Sequence, residues 1–265
     1  MKFYTQILTK NDCYKSGRTI TPLGVMVHST GANNPKLSRY VPGNAEIGYN
    51  TGGNHWDMPG TGACVHAFIG KLADGGVGVV QTLPWNRRGW HCGKGSKGSA
   101  NDTHIAFEIC EDGLEDRSYF QAVYQAAVEL TADLCRQYGL DPKADGVVIC
   151  HSEGHTRGIA SNHADVMHWF PMHGKTMNDF RADVARAMEG EDEMTQEQFD
   201  AMLENYLARR AQQSASSWAT DKTPQHPTGI MEEAKAKGIT DGSRPKSFAT
   251  REEVVAMVNA VSKGG

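Results

Sequence analysis

Two short β-branched runs, each delivering a histidine at its end, constrain this chain more than any other feature. Leu23 to Ser29 (LGVMVHS) follows Pro22 and carries His28, and Val147 to Cys150 leads directly into His151. Runs of this length and composition read as buried strands of a sheet. Two strand-end imidazoles far apart in sequence but at equivalent positions are what a fold needs to bring both to one metal ion, and zinc suits that ligand type. A catalytic zinc takes three protein ligands and keeps a fourth position open, so a third ligand is required. The segment HSEGHTRGIASNHADVMHWF offers Glu153, His155, His163, Asp165 and His168. Taken singly, each reads equally well as a loop residue, and His28 alone as a satisfied core histidine. The distribution favours a site, because ten of the eleven histidines precede residue 175.

The elements around these strands predict an α/β domain, a mixed central sheet flanked by helices. Ala63 to Gly70 and Gly78 to Leu83 form two strands with a turn at Asp74, Gly75 and Gly76, which is hairpin chemistry. His104 to Cys110 (HIAFEIC) is a further strand, and it holds Glu108 between Phe107 and Ile109, an unusual setting for a carboxylate. Phe120, Val123, Ala127, Leu130 and Leu134 recur at helical spacing over Tyr119 to Tyr138, with Gly139 as the stop signal. Met177 to Met188 is a second helix. Residues 31 to 62, rich in Gly, Asn and Pro, are longer than an ordinary connection and are expected to wall a groove.

Composition narrows the function classes. An apolar content of 39% is enough for a real core in a chain of 265 residues. The net charge of −4 and the lack of a Lys/Arg block argue against nucleic acid as a partner. No apolar run approaches the roughly 20 residues needed to cross a bilayer, so no membrane insertion is expected. The first residues show no signal peptide, which predicts synthesis in the cytoplasm and action after release. The six cysteines contain no CxxC pair, so a zinc ribbon or thioredoxin-like motif is not indicated, and most are expected to be buried thiols.

The strand VMVHST, the WHCG at Trp90 to Gly93, the strand IAFEIC, and a His151 segment followed by an Asp together resemble the type 2 N-acetylmuramoyl-L-alanine amidases, relatives of peptidoglycan recognition proteins. The resemblance spans roughly residues 20 to 188. It implies hydrolysis of the amide between N-acetylmuramic acid and L-alanine in bacterial peptidoglycan, with Zn2+ held by His28, His151 and Asp165. Three departures keep His155 open as a rival third ligand: the segment between His151 and Asp165 is longer than usual, the family's Pro after that ligand is Val166 here, and its Lys or Thr slot holds His163. Some phage enzymes of the family use a strand Glu resembling Glu108 as the catalytic carboxylate. Burial would raise its pKa and suit it to act as general base and then acid, although an ion-paired Glu is the alternative. The family's alternative catalytic Tyr would fall near Val65, which cannot transfer protons. His163 becomes the donor to the oxyanion, and Trp90 and His91 the substrate-lining pair. A non-catalytic peptidoglycan-binding protein is the alternative from a different class.

The acidic stretch EGEDE at 189 to 193 marks a boundary, giving a catalytic domain over 1–188, a linker over 189–194 and a helical module over 195–265. Thr195 opens a polar helix to about Gln213 whose stripe of Phe199, Met202, Leu203, Tyr206 and Leu207 needs a partner, which suggests a homo-oligomer. Trp218-Ala219, GITDGSRP and ATREEVVAM resemble a single S-layer-homology-like repeat, which implies wall binding, with oligomerisation as the other use.

Overall fold

The structure is a computed structural model that describes residues 1–189, together with 200, 203, 204, 206, 207, 233, 235–238 and 258. The chain divides into two compact units, Met1–Glu191 and Asp192–Gly265. The expected turn at GITDGSRP and the final helix lie almost wholly outside the described residues. So does the helix from Thr195, of which Leu203, Tyr206 and Leu207 are described as helical and exposed.

In the first unit the elements run β1 (Phe3–Thr5), α1 (Asp12–Lys15), β2 (Gly24–Asn33), β3 (Gly43–Asn44), β4 (Gly48–Tyr49), β5 (Ala67–Lys71), β6 (Val77–Gln81), β7 (His104–Glu111), α2 (Arg117–Tyr138), β8 (Val148–Cys150), α3 (His151–Thr156) and α4 (Met177–Met188). Among the described residues, six strands make one sheet in the order β1-β6-β5-β7-β2-β8. Only the β5–β6 hairpin is antiparallel, with its turn at the Asp-Gly-Gly read from the sequence; the other pairings are parallel. The sheet is therefore mixed, as expected, and its β7–β2–β8 side is a parallel set whose strands all run in one direction.

Side chains alternate between the two faces of a strand, and the core follows that alternation. Val25, Val27, Ile105, Phe107 and Ile109 point to the face covered by α2 and α4, where they meet Phe120, Val123, Ala127, Leu134, Phe180 and Val184. Met26, Phe68, Ala106, Cys110 and Ile149 point to the opposite face, covered by Leu37, Tyr40, Val41 and Ile47 of the segment between β2 and β5. That long segment, expected as a loop, holds a short 3-10 turn at Leu37–Arg39 and the β3–β4 ladder. Asp116 caps α2 by accepting from the Ser118 and Tyr119 N–H groups, and Gly139 ends it at φ +62°, a left-handed turn that glycine adopts without steric cost.

Besides the β3–β4 ladder, the sequence did not predict β1, α1 and α3. β1 has three residues and is held by β6. α3 starts at His151 itself, so this histidine is the first residue of a short helix that follows β8. Of the cysteines, Cys92, Cys110, Cys135 and Cys150 are buried thiols, whereas Cys13 and Cys64 are joined in a disulfide.

Candidate metal centre and pocket

His28 and Glu108 occupy register-paired positions in the middle of β2 and β7, so both side chains project from the same face of the sheet, beside the point where β8 ends at Cys150. Crevices at the carboxyl ends of parallel strands are where open α/β sheets bind ligands. β8 pairs with β2 on its other side and hands the chain to α3, placing His151 beside His28. Asp165 arrives from the segment after α3. A pocket of about 570 Å³ opens here, and its lining includes His28, Glu108, His151, Asp165, Trp90 and His91.

Three of the residues read from the sequence converge closely. His28 Nδ1 lies 2.9 Å from Asp165 Oδ2 and 3.2 Å from His151 Nδ1, and His151 Nδ1 lies 3.5 Å from Asp165 Oδ1. A tetrahedral ion with bonds of about 2.0–2.1 Å would set its ligand atoms about 3.3 Å apart, and the observed separations bracket that edge. Two imidazole nitrogens and a carboxylate oxygen are also a donor set suited to zinc. The residues present therefore fit a cation, with His28, His151 and Asp165 as its holders.

The remaining ring nitrogens of both histidines are occupied. His151 Nε2 is 3.3 Å from Ser161 Oγ, which donates to the Cys92 carbonyl at 3.0 Å. His28 Nε2 is 3.0 Å from His91 Nδ1. Asn101 Oδ1 accepts from the backbone N–H groups of His91 and Cys92 and so fixes the Trp90–Gly93 turn. Ser161 and Asn101 carried no signal in the sequence, because their role depends on what the fold sets beside them.

The other candidates separate by position. His163 lines the pocket with its ring 4.6 Å from that of His151. His155 is exposed on α3, lies near the Ala160 carbonyl and is absent from the pocket lining, so it stands apart from the His28, His151 and Asp165 group. Glu153 is paired with Arg181. His168 lines the pocket and bonds through Nε2 to Glu111, a buried carboxylate that also accepts from the Gly31 N–H.

The electrostatics of the site follow from burial and charge. Burial alone would raise the pKa of Asp165, but its hydrogen bonds to His151 and His28 overcome that and hold it well below the usual carboxylate range. Burial lowers His28 against the opposing pull of Asp165. Glu108 is pushed well above the ordinary range by burial, reinforced by the charges of Asp165 and Glu111, and its Oε2 is buried without a hydrogen-bond partner among the described residues. The ion-paired alternative for Glu108 therefore does not hold. A protonatable carboxyl beside a cation site at the end of a sheet is equipment for hydrolysis.

These features define a class: an α/β protein with a His/His/Asp trio whose geometry could hold a metal ion and a perturbed acid in the same pocket. Residues 18–167, more than half of the chain, match the family model described as N-acetylmuramoyl-L-alanine amidase, and the chain belongs to that family of peptidoglycan amidases. Among solved structures, the Staphylococcus aureus hydrolase AmiA in complex with its ligand is similar, at 18% identity and a TM-score of 0.52 over 72% of this chain and 86% of that one. PlyL, at 20% identity and a TM-score of 0.49, is covered over 97% of its length by 69% of this chain. A mutant endolysin from Bacillus subtilis, at 19% identity and a TM-score of 0.47, is covered over 99% by the same share. The likeness to AmiA, at 18% identity, speaks for the fold alone. No curated protein sequence matches the chain. Among the described residues no helix is long and apolar enough to cross a membrane.

Proposed function

We propose that this chain is a zinc-dependent amidase that hydrolyses the bond between N-acetylmuramic acid and L-alanine, acting as an endolysin of phage or prophage origin. The observation that carries this reading is the buried Glu108 carboxyl, its Oε2 without a hydrogen-bond partner among the described residues, in the same pocket as the His28, His151 and Asp165 trio. Bound by that trio, zinc would supply Lewis acidity and make water nucleophilic near neutral pH. Glu108 takes the proton from the attacking water and delivers it to the leaving amine of alanine, a role its raised pKa suits. His163, exposed at the pocket rim, donates to the oxygen that gains charge as the carbonyl is attacked. Trp90 and His91 line the substrate groove.

The segment beyond residue 194 serves as a wall-directed or self-associating module, and the enzyme reaches the wall after release from the cell that makes it, through a holin where a phage encodes it. The test is clearing of purified Gram-positive walls with assay of newly exposed alanine amino groups, with chelator and zinc add-back, for wild type and Glu108→Ala. Clearing with new alanine termini, abolished by the chelator and by Glu108→Ala despite retained zinc, is the expected result. Wall binding with no released amine at any zinc level would make the chain a recognition protein instead.

A further inference from the structure

Both ring nitrogens of His28 are committed: Nδ1 faces Asp165 and His151, and Nε2 faces Nδ1 of His91 at 3.0 Å. A neutral imidazole that ligates a cation offers a bare nitrogen to it and carries its single proton on the other. With Nδ1 as the ligand atom, the His28 proton sits on Nε2 and is donated to His91. Nδ1 of His91 must then be bare, since two N–H groups cannot face each other at that distance, and the one proton of His91 is left on its Nε2. That Nε2 is buried, has no partner among the described residues, and belongs to a residue lining the pocket.

We propose that His91 is a positioning residue that locks His28 as an Nδ1 ligand, and that the same proton order turns its Nε2–H into a donor aimed at a carbonyl oxygen of the amide substrate. The inference rests on the metal-dependent reading above. Three observations support the assignment. The His91 ring packs edge-on to that of His28, with centroids 5.1 Å apart. Its backbone N–H is tied to Asn101 Oδ1 at 2.8 Å, so the ring stands on a fixed turn. Gly89 leaves the ring its space, because a Cβ there would come within 2.8 Å of His91 Cδ2. His151 obeys the same order independently, with Nδ1 toward the trio and Nε2 toward Ser161.

A spectroscopic consequence follows. Without a cation, Asp165 favours the proton on His28 Nδ1, which leaves Nε2 bare and requires the His91 proton on Nδ1. Loading with zinc therefore inverts both tautomers.

The experiment uses the full chain, with zinc affinity read by competition against a chromogenic chelator and His91 tautomers read by nitrogen-15 NMR. The His91→Asn variant places a carbonyl oxygen near the Nδ1 position, keeping the acceptor for His28 while losing the pocket donor; His91→Phe loses both. Expected are zinc binding within about threefold of wild type for His91→Asn with kcat at least about tenfold lower, and binding about 10- to 100-fold weaker for His91→Phe. The wild-type NMR should show the His91 proton on Nε2 only when zinc is bound. Equal zinc affinity in His91→Phe, or a proton on His91 Nδ1 in the loaded protein, would overturn the proposal; should His91→Phe fail to fold, the wild-type tautomer decides. Tight zinc binding with the expected tautomers but no amine release would sink the amidase reading and leave the positioning role standing. No zinc binding by wild type would overturn both.

Discussion

His66, immediately before β5, gives a stability prediction that can be worked from the structure. Its Nε2–H donates to the Arg87 carbonyl at 2.7 Å and its Nδ1 accepts from the Ala106 N–H at 3.0 Å, so the neutral ring is fully satisfied and a second ring proton has nowhere to go. Burial lowers its pKa from 6.5 to about 4. The folded value is depressed, so between pH 6.5 and 4 the unfolded chain binds a proton that the native protein does not, and stability falls as pH falls through that window. The loss attributable to His66 is about 2 kcal/mol at pH 5 and approaches about 3 kcal/mol below pH 4. The buried His28, His91 and His104 are shifted in the same direction, so wild type alone cannot isolate this contribution. His66→Gln can, because it keeps an amide N–H for Arg87 and does not titrate. Urea unfolding of both proteins from pH 7.5 to 5, with chelator present throughout, should show the variant losing about 2 kcal/mol less than wild type over that range. Parallel curves, whatever their offset at pH 7.5, would refute the argument that His66 is buried neutral.

Other outcomes follow from the same geometry. Glu108→Gln should lower kcat by about 10² to 10⁴ while zinc content by metal analysis stays at the wild-type level; loss of zinc would mean that Glu108 serves the metal site instead. Asp165→Ala should abolish stable zinc binding, whereas His155→Ala should leave it unchanged, as read by chelator competition. Glu111→Ala strips acceptors from the Gly31 N–H and His168, and should cost about 1–3 kcal/mol in denaturant unfolding. Replacing Cys13 and Cys64 together by Ser removes a cross-link spanning 51 residues and should cost about 2–4 kcal/mol, measured against the oxidised wild type.

The strands were legible because burial on both faces of a parallel sheet demands nearly continuous apolar runs, and VMVHS, HIAFEIC and VVIC supply them. α2 was legible from its period and its glycine stop. β1 and α3 escaped because three and six residues are too few to show a period, and each is held by tertiary partners rather than by its own sequence. His155 and Asp165 could not be ranked in sequence, where both are polar residues downstream of His151. Rotation along α3 turns His155 to solvent, while the following segment brings Asp165 back to the sheet. The cysteines were equally silent, since pairing Cys13 with Cys64 requires α1 to lie against the segment before β5.

What the sequence determined by itself was which runs become buried strands and which faces are apolar, because those depend on local alternation and on the hydrophobic effect acting along a few residues; it placed His28 at a strand end, whereas β2 continues to Asn33. The tertiary structure alone decided which ring nitrogen of each histidine faces the carboxylate, that Glu108 stands beside His28 with an unpartnered oxygen, and that His91 reaches the far side of the His28 ring. Those relations depend on register between strands distant in the chain and on distances of about 3 Å between groups that no local interaction holds together.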